Sequence, residues 1–267
     1  MGSSFLVGTI FAWLIAGIGS MLVGWMGGFW LPALLLLSAG FHWYIRTRNI
    51  PVDVATLQQQ KNISRNYASA MPQHPKIQRV LSPVVWCSAI GLLFMNFVRN
   101  GMINWIPTFF STQEVSLSTV TSEAILLPLG GLIGVFSASW LSTRVFYGKK
   151  GPISMMYGVL LTFILLIVIE FPLDTKLRVL CFLLVGFAYN GSNILLTGLI
   201  PTDVVREHVS TATGFIDGFG YIGAILSGVG IGFLLDLYGW RYVFYLWIVA
   251  GSLFVVAMAT LTLFERQ

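Results

Sequence analysis

The sequence predicts an all-α membrane protein with about eight transmembrane helices, and three observations carry that prediction. Charged residues make up only 9% of the chain and apolar residues 56%, with a mean hydropathy of +0.82. Soluble domains carry about 25% charged residues, so this chain has too few to cover a water-facing surface of its size. The apolar residues also fall into repeated runs of about 20, the length that crosses a hydrocarbon core. Those runs are continuous rather than ten-residue alternations, which excludes a β-barrel and leaves helices as the way to satisfy backbone groups in lipid.

Eight spans are expected, in order over residues 4–25, 29–45, 82–106, 120–142, 152–171, 177–200, 211–235 and 240–263. The first begins almost at Met1, without a basic segment ahead of it, so no cleavable signal peptide is expected. The second is only just long enough to cross. The third holds Arg99, and Trp105 near its end reads as an interfacial anchor, as do Trp240 and Tyr242 at the start of the eighth. The seventh is glycine-rich (Gly218, Gly220, Gly223, Gly228, Gly230 and Gly232), which allows close approach to a neighbouring helix. Cys87 and Cys181 both lie in apolar runs and read as reduced, lipid-buried thiols.

Basic residues sort to one side of these spans. Arg46, Arg48, Lys61, Arg65, Lys76 and Arg79 follow span 2; Arg144, Lys149 and Lys150 follow span 4; Arg206 follows span 6 and Arg266 ends the chain. The opposite side holds only Lys176, Arg178 and Arg241, against Glu114, Glu170, Asp174 and Asp236. The positive-inside rule therefore places both termini and the loop 46–81 in the cytoplasm of a cell (inner) membrane protein. The net charge of +5 is accounted for by topology, and no nucleic-acid partner is expected. The polar stretch 53–71 suits a flexible linker. No metal-ligand cluster, nucleotide loop or nucleophile-base set suggests an enzyme, a metal or a cofactor.

Spans 1–2 and 7–8 share a glycine-rich helix, a Gly-Trp corner (Gly24-Trp25, Gly239-Trp240) and an aromatic start to the next helix (Phe29-Trp30, Val243-Phe244-Tyr245). Transporters are commonly built from such repeats. A period of six helices implies twelve in a complete molecule, with four expected before Met1. The competing reading is that Gly-Trp corners are generic membrane punctuation.

Four segments then carry a family resemblance: Asn96 to Thr108, with Arg99, Gly101, Asn104-Trp105 and Pro107-Thr108; Trp140 to Gly151; Gly186 to Gly191; and Gly214 to Tyr221. Together they resemble the organophosphate:phosphate antiporter family of the major facilitator superfamily, the glycerol-3-phosphate and hexose-phosphate transporters. The resemblance implies a partial major facilitator fold covering family helices 5–12. Residues 1–45 would be the last two helices of the N-terminal half, 46–81 the central cytoplasmic loop and 82–267 the C-terminal six-helix half. It implies exchange of an organic phosphate for inorganic phosphate by alternating access, with the missing N-terminal helices and the lipid bilayer as partners. It also makes Arg99 the C-half arginine of a phosphate-binding pair. The sequence departs from the family pattern in five ways. No histidine occurs in residues 1–25, Thr143 replaces an acid, Asn104 replaces an aspartate, residues 225–229 carry no charge and Asp217 is an extra acid. The expected rivals are a membrane sugar-phosphate sensor with the same fold, a permease for another small anion, and a structural remnant.

Arg99 leads the candidate site. A mid-bilayer arginine costs about 2.5–3.5 kcal/mol on the insertion scale, so a compensating role is expected. Its planar fork of donors matches phosphate oxygens. Asn96 lies one helical turn away on the same face. The alternative is a structural ion pair with Asp217. Asp217 shares a helical face with Tyr221 and has three readings, in order: a counter-charge to Arg99, a proton carrier, and a hydrogen-bond partner of glycine-rich backbone. Tyr189, Asn190 and Asn193 form a polar patch on span 6 suited to substrate hydroxyls, or equally to interhelical packing. Arg144, Lys149 and Lys150 form the candidate gating loop, which topology alone also explains.

Overall fold

The computed structural model describes residues 2–47, 82–111, 117–171, 174–204 and 208–265. All eight expected spans are helices: α1 Gly2–Val23, α2 Gly27–Arg46, α3 Pro83–Ser111, α4 Leu117–Arg144, α5 Gly151–Glu170, α6, α7 Val209–Tyr238 and α8 Trp240–Phe264. Helix α6 has three parts: α-helix Thr175–Ile194, a π-helical turn Leu195–Leu199, and α-helix again over Ile200–Val204. The described residues contain no strand. Nearly all of the expected loop 46–81 lies outside the described residues.

Two compact units divide the chain: Met1–Trp13 with Gln78–Gln267, and Leu14–Ile77. The smaller unit begins within α1. In the larger unit, the most extensive helix contacts run in the order α7–α3–α8–α5–α6–α4. Helices α3 and α6 are not adjacent in that row, which leaves space between them for side chains from both.

Small residues set the closest contacts. Added Cβ atoms at Gly130 or Gly134 of α4 would collide with the backbone carbonyls of Leu183 or Phe187, and one at Gly186 with that of Leu127. These reciprocal glycines bring α4 and α6 backbone to backbone, the small-residue packing that replaces hydrophobic driving force in lipid. Gly223 meets the Leu93 carbonyl in the same way, joining α7 to α3. Aromatic clusters hold the two ends of α3: Trp86 packs edge-on to Phe215 and Phe219 of α7, and Phe109 to Trp240 and Phe244 of α8. The core of this unit includes Trp247, Tyr157 and Phe254, all fully buried.

In the smaller unit, Gly19 and Gly27 face each other at backbone contact, and Gly28 abuts the Ser20 hydroxyl, closing the corner between α1 and α2. Gly24 and Gly239, the two glycines before tryptophan, both take left-handed backbone, with φ 75° and 79°. The shared Gly-Trp motif thus has a common local job: a residue without Cβ turns the chain sharply from one span into the next.

Candidate functional site

Arg99 lies within α3 and is half-buried. Its guanidinium carbon sits 4.7 Å from the centroid of the Tyr189 ring on α6, a cation–π contact. Tyr189 is 4% exposed, and its hydroxyl donates to Asn96 Oδ1 at 2.8 Å. Asn96 is held in turn: its amide nitrogen fills the space beside Gly220 of α7, and its carbonyl accepts from Asn100 Nδ2 at 3.0 Å. Side chains of α3 and α6, with the α7 backbone at Gly220 beside them, therefore fix the ring on which Arg99 rests. That ring limits where the guanidinium edge can point.

Arg99 and Tyr189 line a pocket with about 510 Å³ of non-atom space, open solvent included. Asn190 lines it too, with Thr9 and Trp13 from the start of α1. The remaining wall is apolar. Asn190 is 9% exposed; its amide donates to the Gly186 carbonyl at 3.1 Å and packs over Gly131. A glycine at each of those positions is what lets polar side chains tuck between closely packed helices.

Of the seven expected binding residues, Arg99, Tyr189 and Asn190 line the cavity, and Asn96 stands behind Tyr189 as its acceptor. Asn193 is partly buried below it on α6, where its carbonyl accepts from Thr197. Asp217 and Tyr221 are within electrostatic reach of Tyr189, but Tyr221 is 70% exposed and neither lines the cavity. Asp217 is partly buried on α7. In this conformation Arg99 rests on the face of the Tyr189 ring.

Two features were missing from the sequence reading. Pro201 has no N–H to give the carbonyl one turn earlier, and the helix passes through a π turn just before it. The Thr213 hydroxyl of α7 donates to that Thr197 carbonyl at 3.2 Å. The proline and the nearby threonine were the available signal. The second feature is Trp13, which lines the cavity from the first span, where no binding residue was expected.

The sequence of this helical membrane body matches the family described as Major Facilitator Superfamily over residues 1–228. The chain belongs to the major facilitator superfamily. It is 27% identical to the membrane sensor protein UhpC of Salmonella typhimurium, an alignment covering 86% of this chain and 54% of that protein. It is 25% identical to a glycerol-3-phosphate transporter of Bacillus subtilis, covering 90% and 57%. With a probable hexose phosphate transport protein of Chlamydia pneumoniae it shares 25% identity, covering 86% and 55%. These relatives are the group that the four sequence segments resemble. The chain spans about half the length of the curated relatives it matches.

In this major facilitator chain the candidate gating loop is tied down at one end. Tyr147 and Gly148 adopt left-handed backbone (φ 49° and 88°), and the Gly148 N–H donates to the Ser142 carbonyl at 2.8 Å, ending α4. The carboxylate of Glu265, after α8, accepts from the Lys150 N–H at 3.1 Å and the Gly151 N–H at 2.8 Å, capping the start of α5. Lys150 is 7% exposed; burial pushes its ammonium below the usual lysine range, and Glu265 offsets part of that. Arg144 and Lys149 are exposed. Thr143 turns its hydroxyl to the Ser139 and Trp140 carbonyls of its own helix. Glu265 is therefore the acid that organises this loop, a role the sequence did not assign.

Proposed function

We propose that this multi-pass membrane protein is a secondary transporter that exchanges an organic phosphate for inorganic phosphate by alternating access. The observation that carries the reading is Arg99, held on the Tyr189 ring at the wall of a cavity within the membrane spans. A guanidinium edge offers two parallel donors to two phosphate oxygens, and a low-dielectric wall strengthens that contact relative to water. Tyr189 and Asn96 position the arginine. Asn190 and Asn193 contribute polarity along α6, while Asp217 and Tyr221 belong to the open face of α7. Both termini and the loop bearing Arg144, Lys149 and Lys150 are assigned to the cytoplasm of the inner membrane, following the distribution of basic residues.

The relatives named as transporters for hexose phosphate or glycerol-3-phosphate make a small organic phosphate the leading cargo class. One relative is named a membrane sensor, which favours a second reading: the same site detects an organic phosphate without moving it. Proteoliposomes made from the whole gene product and preloaded with phosphate separate these readings. Labelled phosphate entering by counterflow, and abolished by Arg99→Lys, is expected for exchange. Tight binding without counterflow favours the sensor. Counterflow that survives Arg99→Lys removes Arg99 from the site.

A further inference from the structure

We propose that the turn between α4 and α5 is a binding site for an anionic phospholipid headgroup, built from Trp140, Arg144, Tyr147 and Lys149. None of these residues lines the Arg99 cavity, so the inference is independent of what that cavity binds. Tyr147 is the starting observation. Its backbone is left-handed at φ 49°, a conformation uncommon for residues other than glycine, and one that Gly148 beside it adopts without a Cβ to clash. The tyrosine ring is 89% exposed, so packing within the described chain does not offset that strain. Residues held in such strain cluster where a ligand or a partner is met.

The turn is hydrogen-bonded throughout. The Val145 and Phe146 N–H groups both donate to the Leu141 carbonyl at 3.0 Å, Gly148 N–H to that of Ser142 at 2.8 Å, and Lys149 N–H to that of Phe146 at 3.0 Å. Its side chains are therefore displayed from a fixed frame. Trp140 lies one helical turn before Arg144 on the same face of α4, and both are exposed, as is Lys149. Glu265, the acid that reaches this turn, commits its carboxylate oxygens to the Lys150 and Gly151 amides, and Lys150 itself is buried. What faces outward is two cations interleaved with two amphipathic rings at the end of a membrane span. The guanidinium fork fits phosphodiester oxygens. Tryptophan and tyrosine settle at headgroup depth, and the basic-residue distribution puts this end at the cytoplasmic leaflet, where anionic lipids attract lysine and arginine. An arginine in the last turn also suits the helix dipole, a role indifferent to lipid charge.

The test titrates the purified full chain in detergent with phosphatidylglycerol or phosphatidylcholine of matched acyl chains. Retained lipid is read by native mass spectrometry and stability by thermal unfolding. Phosphatidylglycerol is expected to be retained at a concentration lower by about tenfold or more, the scale of two basic side chains at an anionic surface. Arg144→Gln combined with Lys149→Gln is expected to bring the two lipids level. Tyr147→Gly separates a lipid contact from a structural one. It is expected to raise the lipid-free Tm by about 2–4 °C, because the left-handed strain is relieved, and to weaken phosphatidylglycerol retention several-fold. Equal retention of the two lipids by wild type, or a preference untouched by the double variant, overturns the proposal. So does a fall in lipid-free Tm in Tyr147→Gly, which places the ring against protein. Polyglutamate binding as tightly as phosphatidylglycerol, and lost in the double variant, assigns the patch to an acidic protein and overturns it as well.

Discussion

Removing one oxygen from Tyr189 gives the sharpest probe of how Arg99 is held. In Tyr189→Phe the ring stays, so the guanidinium keeps its platform at 4.7 Å, but the 2.8 Å bond to Asn96 is lost. Asn96 Oδ1 then faces a buried site without its donor. Hydrogen bonds between membrane helices measure about 0.6 kcal/mol on average and at most about 1.7, because the reference state finds partners too. Burial of the pair places this one in the upper part of that range, about 1–1.7 kcal/mol. That corresponds to a fall in Tm of about 2–7 °C for a body of this size. The assay is thermal unfolding in detergent for Tyr189→Phe, Asn96→Leu and the double variant. The account predicts that the double variant loses less than the sum of the single losses, with a coupling of about 1 kcal/mol. Phosphate affinity should fall only a few-fold in Tyr189→Phe but more steeply in Tyr189→Leu, which removes a cation–π contact of up to about 2 kcal/mol. Strict additivity in the cycle, or equal binding loss in the two tyrosine variants, would refute the idea that the ring and its bond do separate jobs.

Other regions give further expectations. Gly186→Val drives a side chain into the Leu127 carbonyl and should cost about 1–3 kcal/mol in stability, measured by thermal unfolding, while weakening phosphate binding because both residues line the cavity. Thr213→Val removes the donor to the Thr197 carbonyl and should cost about 1 kcal/mol. In a Pro201→Ala background, where an N–H becomes available one turn on, most of that loss should disappear. Lys150 has a folded pKa below its ordinary value of 10.5, so its ammonium penalises the folded state until pH rises through the lowered value. Stability should therefore increase between that value and 10.5, and Lys150→Met should be more stable near neutrality and flat across the window, as read by Tm against pH.

The fold was legible in the sequence because lipid leaves the backbone few choices. Eight long apolar runs became eight helices, with bounds shifted by a few residues at most except at the C-terminal ends of α3 and α6, which run on to Ser111 and Val204. The Gly-Trp corners were visible as a repeated motif, and their left-handed glycines give the motif its physical meaning. Within the candidate site, Arg99 was conspicuous because a charge in a span is costly, and Tyr189 and Asn190 because they are polar among apolar neighbours. What pairs with what was not legible. Nothing in the sequence showed that Arg99 rests on an aromatic ring supplied by a helix that does not pack extensively against α3. Such pairings depend on the helix row, set by reciprocal glycine contacts that no single helix reveals. Glu265 escaped notice for a similar reason: it lies 115 residues beyond the amide it caps.

The most direct measurement is equilibrium binding of inorganic phosphate to the purified chain in nanodiscs, compared among wild type, Arg99→Lys and Arg99→Gln. Saturable binding in wild type is predicted. Lysine, a point charge without the planar fork, should lose at least about tenfold, and glutamine should bind no phosphate while keeping the same helical circular dichroism. Equal phosphate affinity in wild type and Arg99→Gln would contradict the account.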